Sequence, residues 1–201
     1  MVKTYSLKKH GNKKITTNFV VREFACNDGT DTVKIDRNTV RKLQVARNLT
    51  NAPINVTSGY RTPTYNRKVG GATNSYHVVG CACDTYSNKI KPLTLARIYE
   101  LLGATGIGYY SLQKFVHVDV RPYKCYWEQG KSVTMRSSFM TVSEIKEVQK
   151  LLKRVSTKYN KKLLDPGKID GVIGKNTINS FRRLCNSKYV EKTELLKLLG
   201  A

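Results

Sequence analysis

The segment Ser75-Tyr76-His77-Val78-Val79-Gly80-Cys81-Ala82-Cys83-Asp84 holds one of the chain's three histidines and, a few residues on, an aspartate. A second histidine stands in Phe115-Val116-His117-Val118-Asp119-Val120-Arg121, where valines alternate with polar residues as in a strand. A catalytic zinc takes three protein ligands, usually imidazole nitrogens and a carboxylate, and keeps a fourth position for water. His77 from a loop, Asp84 from a strand and His117 from a neighbouring strand would supply that set. Gly80 and Ala82 are small enough to let these backbones approach closely. The residues alone leave a plainer reading open, in which both histidines are ordinary polar groups near a sheet edge.

Working outward, the pattern is α+β. Asp36 or Asn38 can cap a helix in which Val40, Leu43 and Ala46 recur at helical spacing, and Pro53 ends that segment. Ile54 to Ser58 alternates like a strand. Gly59 to Ser75 reads as a long functional loop. Leu95, Ile98 and Leu102 mark a helix stopped by Gly103. Gly106–Tyr110 and Phe115–Val120 suggest a strand pair within an antiparallel sheet. Residues 133–141 are polar and irregular and suggest a linker between a first domain, 1–132, and a second, 142–201. In the second, Ile145, Val148, Leu152 and Val155 share one helical face, Ile178, Phe181 and Cys185 another, and Leu195, Leu196 and Leu199 a third. Asn176 or Thr177 is placed to cap the middle helix.

Ser75-x-His77-x-x-Gly80-x-Ala82-x-Asp84 resembles the SxHxxGxAxD signature of the zinc D-Ala-D-Ala carboxypeptidase and L-alanyl-D-glutamate endopeptidase family, whose fold is shared with the hedgehog signalling domain. Thr57-Ser58-Gly59-Tyr60-Arg61-Thr62-Pro63, Asn66 to Gly71, and Glu23 to Gly29 resemble further segments of that family, so the likeness covers about residues 18–125. It implies one zinc per chain, held by His77, Asp84 and His117 in a monomer. It also implies a peptidase acting on peptidoglycan stem peptides, with L-Ala–D-Glu the leading bond. The alternatives are a D,D-carboxypeptidase and a non-catalytic wall-binding protein with structural zinc.

Several relatives place a Glu or His two or three residues before the last ligand; Lys114 and Phe115 stand there and cannot act as base. Asp119 lies on the same strand face as His117 and is the candidate general base, its other reading being to orient a ligand. Arg121 shares that face and can pair with it. Arg61 is the candidate clamp for a substrate carboxylate or oxyanion, or else a solvated loop arginine. Ser75 can bond substrate or shape its loop. Tyr60, Tyr109 and Tyr110 read as packing residues, and His10 as exposed.

Val148 to Leu152, Ile169-Asp170-Gly171-Val172-Ile173-Gly174-Lys175-Asn176-Thr177 and Phe181 resemble the three-helix peptidoglycan-binding domain with its DGxxGxxT core. That likeness makes Asp170 and Thr177 candidate wall-binding residues. The repeated carboxylates of a calcium loop are missing.

A formal charge of +22, from 36 Lys/Arg against 14 Asp/Glu, predicts attraction to a polyanion such as the anionic polymers of a Gram-positive wall. Nucleic acid rests on charge alone, since no helix-turn-helix or aromatic-flanked basic groove accompanies it. No apolar run of membrane length exists. Lys3 to His10 is basic with no apolar stretch after it, unlike a secretory signal. With the two resemblances, this suggests an endolysin-like protein made in a host cytoplasm and released through a holin lesion. Cys26, Cys81, Cys83, Cys125 and Cys185 read as free thiols, with a Cys26–Cys83 pair as the alternative.

Overall fold

The computed structural model describes residues 1–201. Strand β1 (Val2–Ser6) leads through a short helix α1 (Leu7–His10) and a 3-10 turn (Val21–Phe24) to β2 (Thr32–Asp36), with which β1 forms a two-stranded antiparallel sheet. Helix α2 (Arg37–Thr50) follows directly. Asp36 is its cap, accepting from the N–H of Asn38 at 2.7 Å and of Thr39 at 3.2 Å. Asn51 ends it in a left-handed conformation, φ 48°, two residues before Pro53.

The larger sheet holds β3 (Asn55–Ser58), β4 (Ala82–Tyr86), β5 (Gly106–Tyr110), β6 (Phe115–Asp119), β7 (Cys125–Gln129) and β8 (Val133–Arg136). Their spatial order is β3-β4-β6-β5-β7-β8. The expected antiparallel sheet is corrected at one place: β5 and β7 run parallel, because the chain crosses β6 before returning to the far edge of β5. Residues 59–75, expected as loop throughout, contain helix α3 (Pro63–Lys68). Thr62 caps it by accepting from Tyr65 N–H at 3.1 Å, and Pro63 fills its first position. Helix α4 (Pro92–Leu101) packs behind the sheet and ends at Gly103, φ 69°.

Residues 133–141 depart most from the linker reading. Their first part is β8, paired with β7. Phe139 and Met140 are buried, and the buried Glu100 carboxylate takes the Ser138 hydroxyl at 2.7 Å and the Phe139 N–H at 2.8 Å. Two large apolar side chains and a dedicated acceptor outweigh the polar look of the segment. Helix α5 (Val142–Lys158) then starts at a reciprocal cap between Thr141 and Glu144. Helices α6 (Lys175–Cys185) and α7 (Lys192–Leu198) follow a 3-10 turn at Lys162–Leu164. Neither Asn176 nor Thr177 caps α6; Gly174 stands at the cap without a side-chain bond.

One apolar core runs through both halves, from Val40, Leu43 and Leu95 to Phe139, Leu152 and Phe181. The seam is also polar. Arg97 reaches Phe139 O at 3.0 Å and Glu144 at 2.9 Å, Thr94 donates to Gly200 O at 3.1 Å, and Asn48 donates to Asn186 at 2.8 Å. A side chain at Gly103 would meet Ile178 at 2.9 Å. No helix is long and apolar enough to cross a membrane. All five cysteines are unpaired, so the Cys26–Cys83 alternative does not occur.

Candidate metal centre

Strands β4 and β6 place Asp84 directly opposite His117 in antiparallel register. His77 comes from the turn that precedes β4. That turn is pinned from outside: Gly80 has φ 77°, its carbonyl accepts from Asp36 N–H at 2.7 Å, and a Cβ there would lie 2.5 Å from Lys34 O. Only glycine fits a left-handed position so close to a neighbouring backbone. Ser75 accepts from His77 N–H at 3.3 Å and so shapes the turn, while also lining the cleft.

The three side chains converge. His77 Nε2 lies 3.1 Å from His117 Nδ1 and 3.2 Å from Asp84 Oδ1, and His117 Nδ1 lies 3.0 Å from the same oxygen. Ligand atoms on a tetrahedral zinc stand about 3.3–3.4 Å apart given bonds of roughly 2.05 Å. The far side of each ring is spoken for. His77 Nδ1 faces Gly59 O at 2.7 Å, and His117 Nε2 faces Asp119 at 3.0 Å. Those acceptors can only take an N–H, so the lone pairs of His77 Nε2 and His117 Nδ1 are both turned on the centre. The donor set and its tautomers therefore fit a metal ion.

Electrostatics agree. Burial lowers the pKa of His77 and favours the neutral ring, with Asp84 opposing. Burial opposes the carboxylate of Asp84, but the two imidazoles beside it hold its pKa well below the usual range. For His117 burial works against charge, yet hydrogen bonds to Asp119 and Asp84 raise its pKa above the ordinary value. That proton is the one a metal would displace.

Asp119, expected as general base, does not fit that role. It is fully buried, sits on the side of His117 away from the converging atoms, and is absent from the cleft lining. Arg121 holds it through Nε at 3.0 Å and Nη2 at 2.5 Å. Despite burial, His117 and Arg121 keep its pKa down to about 2. Arg61 does reach the centre. Its Nε donates to Ser58 at 2.7 Å and its Nη2 to the outer oxygen of Asp84 at 2.5 Å, while the side chain lines the cleft.

The cleft encloses about 640 Å³. One wall was not anticipated: Tyr110, Phe115 and Trp127, with Val133 and Met135 of the β7–β8 hairpin. Tyr110, expected as packing, stacks on Phe115 at 4.2 Å and accepts from Trp127 Nε1 at 3.3 Å. Gly108 leaves the space that Trp127 fills, since a Cβ would sit 2.4 Å from its ring. The aromatic content of 109–127 was the available signal, but strand residues give no hint which edge they face. Tyr60 is buried as expected, and His10 is only half-exposed, accepting from Ser6 N–H at 3.2 Å.

Asp170 lies far along the chain in the α5–α6 connection and Thr177 in the first turn of α6, where they brace the loop. Gln149 Nε2 donates to Asp170 at 3.0 Å and to Thr177 Oγ1 at 3.2 Å, and Asp170 also takes Val172 N–H at 2.9 Å. Thr177 is 2% exposed and Asp170 is exposed, and both border an open surface pocket of about 380 Å³.

Two imidazoles and a carboxylate at the floor of an open cleft form the donor set of a catalytic type of metal site. A family model described as Peptidase M15 matches residues 16–119, and the chain belongs to that family. The "Probable peptidoglycan L,D-endopeptidase MepK" of Haemophilus influenzae is 34% identical over 101 residues, covering 46% of this chain and 54% of that protein. The "Peptidoglycan L,D-endopeptidase MepK" of Escherichia coli K12 is 32% identical over 83 residues, covering 39% and 45%. The chain thus spans about half the length of the curated relatives it matches.

Proposed function

We propose that the protein is a zinc-dependent peptidase that hydrolyses peptide bonds in peptidoglycan stem peptides, on a hedgehog-type catalytic unit. The observation that carries the proposal is the convergence of His77 Nε2, Asp84 Oδ1 and His117 Nδ1, with both outer ring nitrogens already bonded, in a chain of the M15 family. The activity in the relatives' names supports a cut at an L,D bond, of which L-Ala–D-Glu is the leading one.

Bound zinc supplies Lewis-acid polarisation of a carbonyl and a water of lowered pKa. Around it, Asp119 holds the His117 ring in its ligating tautomer, and Arg121 holds Asp119. Arg61 braces Asp84 and turns the rest of its guanidinium to the cleft, where it can bind a stem-peptide carboxylate or a developing oxyanion. Burial raises the pKa of Tyr110 and keeps its hydroxyl protonated; because Trp127 already donates to it, its own hydrogen is available to a substrate oxygen. Phe115 and Trp127 give aliphatic parts of the substrate a dry wall.

Residues 142–201 serve in this proposal as a wall-attachment unit, with Asp170 and Thr177 shaping its loop. An endolysin-type life, with synthesis in a cytoplasm and passage to the wall through a membrane lesion, completes the reading; the charge of +22 suits such a target.

The test is turbidity loss of purified Gram-positive walls, with and without chelator, for the wild type and His77→Ala, with released ends read by mass spectrometry. Chelator-sensitive lysis that vanishes in the variant, with new N-terminal D-Glu, supports the proposal. Release of free D-alanine without lysis would replace it by a D,D-carboxypeptidase, and binding without any release would remove the enzyme.

A further inference from the structure

On the seam between the two halves, away from the three converging side chains, lies a second cavity of about 580 Å³. It is framed by α2, the turn after α4, the end of β6 and α6. Four cations line it: Arg41 and Lys42 of α2, Arg121 beyond β6, and Arg182 of α6. No carboxylate does. Arg121 is neutralised from behind by Asp119, and Asp36 is occupied at the start of α2, which leaves Arg41, Lys42 and Arg182 without an acidic partner. Lys42 is half-buried and bonded by Nζ to Leu102 O at 2.7 Å. Burial first, then Arg182, lowers its pKa to about 8, so its ammonium is still mainly protonated at neutral pH but poorly compensated.

Two further features belong to the same cavity. The Thr16 hydroxyl oxygen on its wall is buried and has no hydrogen-bond partner. Asn38 and Asn186 also line it. Arg182 works against the charge on Lys42 across the seam, and an anion seated among these cations would relieve that repulsion. The two halves contribute to the same ring of charge, so the ligand's size and sign are set by how they dock.

We propose that this cavity binds a phosphodiester group of an anionic wall polymer, gripped by Arg41, Lys42 and Arg182. The choice of a wall polymer over nucleic acid rests on the proposed peptidase function, and the absence of aromatic residues from the cavity lining agrees with it, since stacking platforms are what single strands use.

The experiment titrates the full chain with purified poly(ribitol phosphate), with inorganic phosphate and with a single-stranded DNA oligonucleotide. The double variant Arg41→Glu/Arg182→Glu is compared with Lys8→Glu/Lys9→Glu, which makes the same charge change on two exposed lysines elsewhere. The first pair is expected to weaken polymer binding at least tenfold and the second less than twofold. The apparent Kd of inorganic phosphate should rise with the first pair only. Lys42→Met, which keeps length without charge, should weaken polymer binding severalfold and covers the case in which the double variant misfolds. Equal weakening by both pairs would reduce the effect to net charge and overturn the site. DNA binding that is sensitive to the first pair while polymer binding is not would reassign it to nucleic acid. Hydrolysis of an isolated stem peptide by the wild type, measured alongside, reports on the peptidase reading independently.

Discussion

Replacing Asp119 with asparagine separates two roles that leave the same sequence signature. The carboxylate accepts from His117 Nε2 at 3.0 Å and from Arg121 at 3.0 and 2.5 Å, and it is fully buried. Asparagine keeps one acceptor oxygen but loses the charge and presents an amide donor to one neighbour. Loss of a carboxylate behind a ligating histidine typically lowers metal affinity about 10- to 100-fold. Arg121, only 12% exposed, also loses its counter-charge, so the apo protein should lose on the order of 1–3 kcal/mol. Competition with a chromophoric chelator gives the zinc Kd, and stem-peptide hydrolysis against free zinc gives the rate. The expected result is a Kd raised 10- to 100-fold with a rate at saturating zinc within about tenfold of wild type. A general base would leave the Kd alone and remove roughly 100- to 10,000-fold of the saturated rate. That second pattern would refute the orienting role.

Gly80→Ala should lower stability by about 1–3 kcal/mol, because alanine must adopt a positive φ against the β2 backbone; a zinc Kd raised in parallel would tie the turn to His77, and an unchanged melting temperature would count against it. Lys42→Met should stabilise the protein at pH 7. Because folding lowers this pKa from 10.5 to about 8, the unfolded chain binds the proton more tightly between those values, and wild-type stability gains from this group as pH rises from 8 to 10.5. The difference in melting temperature between wild type and variant should therefore shrink over that range, and a constant difference would sink the argument. Phe139→Ala should cost about 3–5 kcal/mol while both halves still melt in one transition, as followed by calorimetry; two separated transitions in the wild type would contradict the shared core.

The candidate metal ligands were legible in the sequence because one motif carries His77 and Asp84 at fixed spacing and an alternating strand carries His117, and the structure brings the three together. Asp36 as a cap and Gly103 as a stop were equally readable, since both act on adjacent backbone. What the sequence hid depends on contacts distant along the chain. The same-face rule put Asp119 beside His117 correctly, but which ring nitrogen it meets depends on His117's rotamer. Residues 133–141 looked like linker because the partners of Phe139 and Ser138 lie on α4, about 40 residues earlier. Asp170 and Thr177 were legible as parts of one short motif, but the sequence hid that Gln149, one helix away, bonds to both.

The seam along α2 and α4 bears on how such chains diversify. Thr94, Arg97 and Gly103 are shaped to receive residues 139–200, so those residues are not a cassette that recombination can exchange at will. A chimera joined at 141 would inherit an orphaned apolar face and an uncapped ring of like charge. Substitutions are absorbed more easily at the exposed strand β8 and in the exposed loop around Asp170 than along this seam.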